Sequence, residues 1–211
     1  MQPEADLTLR GQARIVHELL ESLDVHDVTL CFNDWAAPQI LVADRLCERI
    51  GGMVLIACET AGNYPPGLPG RNLALLGRVP GGLSLALRAL RIRTLRRTPL
   101  TFGWMSKHGI DDDLFERWLS ASRRDPGVLR DLVAYVRSTR QSKRDLVAAT
   151  TQLGGFVKPV TVVWATGDRV MPMREGVALA DAFPQGRLVN GGGQLHPGAT
   201  RPTPSDRRAH P

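Results

Sequence analysis

Lysine is nearly missing from this chain. Only Lys107, Lys143 and Lys158 stand among its 27 basic residues, a skew expected of a GC-rich gene. Cysteine is scarce as well. Cys31, Cys47 and Cys58 are odd in number and lack C-x-x-C spacing, so they read as small buried hydrophobes in a reducing cytoplasm. No apolar run reaches the roughly 18–20 residues that cross a bilayer. The opening "MQPEADLTLRG" has neither the basic start nor the apolar core of a secretion signal. Phosphate-binding loops, a strand-linked G-x-G-x-x-G, H-E-x-x-H and zinc-spaced Cys/His clusters are absent too, so no cofactor or metal is expected.

What is present fits a globular chain. Its 211 residues and 43% hydrophobic content suit one domain, or one domain carrying a sizeable insertion. The net charge is +6, and much of the arginine clusters in "LALRALRIRTLRR" (85–97). Leucines and isoleucine interleave there at helical spacing, which predicts an amphipathic helix with a solvated basic face. Nucleic acid is therefore a weak expectation as a partner, and a small molecule the stronger one.

Periodicity predicts a helix over 6–24, a buried strand over 28–32, a helix over 38–50 ended by Gly51-Gly52, and a strand over 53–58. Helix, strand, helix and strand on short links make α/β grammar with a parallel sheet. Residues 60–153 carry only helical patterns, the clearest at 112–124 and 127–153. Sheet grammar returns with a strand at 159–165, a helix at 173–183 and a short strand at 187–189. The domain reading is thus a core at 1–59, a helical cap at 60–153, more core at 154–189 and a disordered or out-of-frame tail at 190–211.

"TLCFNDWAAPQI" (29–40) ends a buried strand on Asn33-Asp34-Trp35 and runs straight into a helix. A side chain on such a bend is exposed beside the first free N–H groups of the helix, where negative charge is stabilised. This resembles the nucleophile elbow of the α/β-hydrolase superfamily, in the Asp-nucleophile branch of haloalkane dehalogenases and epoxide hydrolases, where Asp-Trp is a common pair. In "PVTVVWATGDRVMP" (159–172), Trp164, Asp168 and Pro172 fill that branch's W-x-x-x-D-x-x-x-P pattern. His196 follows where the branch commonly carries its histidine. The resemblance implies Asp34 as nucleophile, Asp168 as acid and His196 as water-activating base, with Trp35 at the oxyanion or leaving group and Tyr64 as a proton donor.

The chain also departs from that pattern. Phe32 and Ala36 flank the elbow in place of glycines. The strands and the His-Gly loop that the family places upstream have no counterpart, so the chain reads as N-terminally truncated. The codons of "QLHPGATRPTP" (194–204) permit a reading one base later as Ser-Tyr-Thr-Leu-Val-Pro-Leu-Asp-Gln-Pro, which resembles the continuation in relatives with this cap. Three functions stay open: a hydrolase acting on a small haloalkane or epoxide, an inactive remnant of the same fold, and a basic nucleic-acid-binding protein. Oligomeric state is not legible.

Overall fold

A computed structural model describes residues 5–106 and 109–191; His196 and the tail beyond 191 lie outside the described residues. Helix α1 (Leu9–Ser22) starts where the Thr8 hydroxyl accepts the N–H of Gly11, the cap geometry that satisfies a free first-turn donor. Strand β1 (Val28–Asn33) follows, then α2 (Ala37–Ala43) and β2 (Ile50–Ile56). The insertion before the next strand holds α3 (Gly67–Leu76), α4 (Gly82–Ala89), α5 (Arg93–Arg96), α6 (Asp112–Arg124) and α7 (Pro126–Thr150). Asp111 caps α6 and Asp125 caps α7, with Pro126 in the first helical position. Strand β3 (Val160–Trp164), α8 (Met173–Ala182) and β4 (Gly186–Asn190) complete the chain.

The four strands are parallel and lie in the order β1-β2-β3-β4. Every crossover steps the same way across the sheet. Because such crossovers are right-handed, all the connecting helices fall on one face. Burial agrees. The row Phe32, Leu55, Val162, Leu188 packs into the core under the helices. The alternate rows, Cys31-Val54-Thr161-Arg187 and Asn33-Ile56-Val163-Val189, are half-buried or exposed. Among the described residues that second face has no covering layer. Helix α7 belongs to both the insertion and the core, since Leu146 and Ala149 join the central cluster against α2.

Several local expectations need correction. Helix α2 stops at Ala43 instead of continuing to residue 50, because Arg45 turns into the left-handed region at φ 59°. Gly51-Gly52 does not end that helix; it lies inside β2, which begins at Ile50. A Cβ on Gly51 would stand 2.1 Å from the Asp27 carboxylate, so the glycines serve close strand approach. The basic stretch 85–97 breaks into α4 and α5. Its Arg96 is buried, pairing with Asp112 at 2.8 Å and Glu116 at 3.1 Å and lying over the Phe115 ring. That arginine is structural, not part of a solvated face. Cys31 is exposed on the open sheet face, although Cys58 is buried as expected.

Candidate active site

Asp34 sits directly after β1 with φ 72°, a left-handed conformation that an L residue adopts at a cost. Its own N–H donates to Ile56 at 3.0 Å, and its carbonyl accepts the N–H of Glu59 at 2.8 Å. The bend is therefore pinned to the end of β2 on both sides. Phe32 does not prevent it, because its ring packs toward the core, while Ala36 and Ala37 let the helix start close to the strand with essentially no exposure.

The turn aims Asp34 into a cavity of about 800 Å³. Asn33, Trp104, Ser106, Asp168, Met171 and Asn190 share its lining. Asp168 comes from the loop after β3. One of its carboxylate oxygens accepts the N–H groups of Val170 and Met171, both at 2.8 Å, which locks the loop. The Trp164 indole, buried beneath, donates to the Met171 carbonyl at 2.8 Å. Asn63, in the loop after β2, donates to the Val170 carbonyl at 2.8 Å. The two loops are thus tied together around the cavity. Burial, and next the nearby charge of Asp168, hold the Asp34 carboxyl above the ordinary carboxylate range although it stays open to solvent at the cavity mouth.

Of the residues expected at the site, Asp34 and Asp168 meet across one cavity. Trp35 and Tyr64 do not line it. The Trp35 ring, 45% exposed, stacks on Tyr135 at 5.9 Å. The Trp35 backbone N–H donates to the Asn33 carbonyl at 2.9 Å, so this donor already has a partner within the turn. Tyr64 is only 4% exposed. Its hydroxyl lies beside Tyr135 and Ser142 without a well-formed hydrogen bond. His17 and His26 pair with Glu21 and Asp24 on the surface. Among the described residues no His, Cys, Asp and Glu group is arranged to hold a metal, and no helix is long and apolar enough to cross a membrane.

Glu59 was not singled out from the sequence. It follows β2 as Asp34 follows β1, and an acid at a second strand tip was the available signal. It is 7% exposed, and one carboxyl oxygen has no partner. Burial, then the charge of Asp34, push its carboxyl up to about 8 despite a hydrogen bond from the Ala36 N–H.

Four parallel strands in sequence order, with helices packed on them, match a known architecture. An α/β hydrolase fold protein from Burkholderia ambifaria superposes with a TM-score of 0.65 at 22% identity, over 90% of this chain and 67% of that one. The chain has the α/β-hydrolase fold. An ancestral haloalkane dehalogenase shares this fold at a TM-score of 0.64 and 15% identity, over 90% of this chain and 68% of its own. In sequence, a 2-hydroxy-6-oxononadienedioate/2-hydroxy-6-oxononatrienedioate hydrolase of Cupriavidus pinatubonensis is 27% identical over 181 residues, or 83% of this chain. The chain spans 57% of the length of that curated relative. No family model matches.

Proposed function

We propose that the chain carries the nucleophile and acid of a hydrolase that attacks an electrophilic carbon of a small neutral molecule, a haloalkane or an epoxide, through Asp34. The observation that carries this reading is the elbow itself: a carboxylate at φ 72° on a strand tip, facing Asp168 across a cavity. An ionised Asp34 oxygen forms a bond to the carbon while the carbon–halogen bond breaks and halide leaves or, on an epoxide, while the ring carbon–oxygen bond breaks and its oxygen takes a proton from water to become a hydroxyl. Water then adds to the ester carbonyl, the alcohol departs and the carboxylate returns. His196, oriented by Asp168, is the base proposed for the second step. The cavity lining includes two carboxylates and no lysine or arginine among the described residues, which favours an uncharged substrate.

A second reading follows from the Cupriavidus relative: hydrolysis of a dienedioate. Two carboxylates would repel that dianion, which ranks this reading below the first. Incubating the protein with a reactive epoxide and, separately, a haloalkane, then weighing it intact, tests the proposal. The expected result is an ester adduct mapped to Asp34 and absent from Asp34→Asn. Adduct at other residues only, or turnover of the dioate without any adduct, overturns it. No reaction with any of the three compounds leaves the inactive-remnant reading.

A further inference from the structure

The end of α3 comes close to α7 at Gly77. A Cβ on Gly77 would lie 2.3 Å from the Val136 side chain, and Arg137 Nε donates to the Gly77 carbonyl at 3.1 Å. A groove of about 580 Å³ is lined by Pro65, Ala74, Arg78, Thr139, Arg140, Lys143, Arg144 and Val147. It shares no residue with the cavity at Asp34.

The charges in this groove are lopsided. Arg140, Lys143 and Arg144 stand three and four residues apart on α7, so their side chains share one helix face, and Arg78 approaches from the end of α3. Like charges so placed repel one another. No carboxylate lines the groove, and none of the four cations has an ion pair among the described residues. The nearby acid on α7, Asp145, is turned inward, 3.6 Å from Arg10 of α1 and accepting from Gln141. In the α5–α6 region, by contrast, Arg93, Arg96 and Arg123 all have carboxylate partners. The apolar part of the lining comes from Pro65, Ala74 and Val147.

We propose that the α3–α7 groove is a binding site for a small organic phosphate, its phosphate held by Arg78, Arg140, Lys143 and Arg144 and its aliphatic body resting on Pro65, Ala74 and Val147. Guanidinium forks match phosphate oxygens in pairs, and three of the four cations are arginine. The volume suits a small ligand. The site is independent of the hydrolase reading.

Calorimetric titration of the full chain with hexyl phosphate, inorganic phosphate and hexanol tests it. Saturable binding of hexyl phosphate is expected, at least threefold tighter than inorganic phosphate, with none for hexanol. Arg140→Ala combined with Arg144→Ala should weaken it tenfold or more. Arg88→Ala combined with Arg117→Ala, which removes the same charge elsewhere on the surface, should leave it unchanged. Equal loss in both double variants would reduce the effect to net charge and overturn the proposal. So would equal affinity for the two phosphates, or binding only to vesicles containing phosphatidic acid. Melting curves for both double variants confirm that each is folded, and the substituted arginines are exposed.

Discussion

Asp34 combines two costs in one residue: a left-handed backbone and a carboxylate whose ionisation is opposed by burial and by Asp168. A glycine relieves both. Asp34→Gly is expected to raise stability by about 1 kcal/mol while abolishing ester formation, measured by urea unfolding and intact mass. The pH dependence follows from the same pair. On the proposed mechanism only an ionised Asp34 attacks, so alkylation should fall as pH drops through a pKa raised above its ordinary value. Asp168→Asn keeps an oxygen for the two loop N–H groups but removes the repelling charge, so the acid limb of the rate profile should move to lower pH. An unmoved limb would mean the two carboxyls do not interact. Glu59 makes a separate prediction. Its carboxyl is raised from 4.5 to about 8 in the folded chain, so between those values the native state holds a proton that the unfolded state has lost. Stability from this group is full below pH 4.5 and declines as pH rises to about 8, with a slope of about 1.4 kcal/mol per pH unit at most. Glu59→Gln should flatten that decline in urea melts at stepped pH. The positions of Asp34 and Asp168 at strand ends were legible because strand runs frame both. Glu59 was not, because only the fold brings the tips of β1 and β2 side by side.

The helices were readable where periodicity coincided with a capping side chain. Helices α1, α6 and α7 begin at Thr8, Asp111 and Asp125, whose side chains cap them. Two of the errors share one cause: local signals whose meaning depends on a tertiary neighbour. Gly51-Gly52 has the composition of a helix stop, yet Asp27 and the Pro159 carbonyl press on it inside β2. The arginine stretch 85–97 has the period of one solvated helix, yet Asp112 and Glu116 fold Arg96 inward. Gly176 illustrates the same dependence where nothing in the sequence flags it. A Cβ there would lie 2.6 Å from the Trp164 ring, and that ring holds the Met171 carbonyl beside the acid loop. Gly176→Ala should therefore cost about 1–3 kcal/mol and also slow alkylation of Asp34. A variant that melts as wild type would remove Trp164 from its bracing role.

The whole molecule is a parallel sheet with helices on one face among the described residues. Parallel sheets are ordinarily covered on both faces, since their strands are apolar on both. Here Val54, Ile56, Val163 and Val189 form adjoining positions of the open face, with Cys31 and Thr161 beside them. Ile15, Leu19 and Leu23 on α1 are exposed apolar side chains as well. Strand β1 also pairs with β2 alone, leaving one edge unpaired among the described residues. Apolar area so arranged drives association. Purified protein should bind a hydrophobic dye in its native state and sediment faster as concentration rises. Val54→Thr combined with Val163→Thr keeps side-chain shape and strand propensity while adding hydroxyls to the open face. That pair should lower dye emission and shift sedimentation toward the monomer, with helical circular dichroism unchanged. If association persists unaltered in the double variant while Ile15→Lys combined with Leu19→Lys relieves it, the contact belongs to α1 and the open face is not what draws copies together.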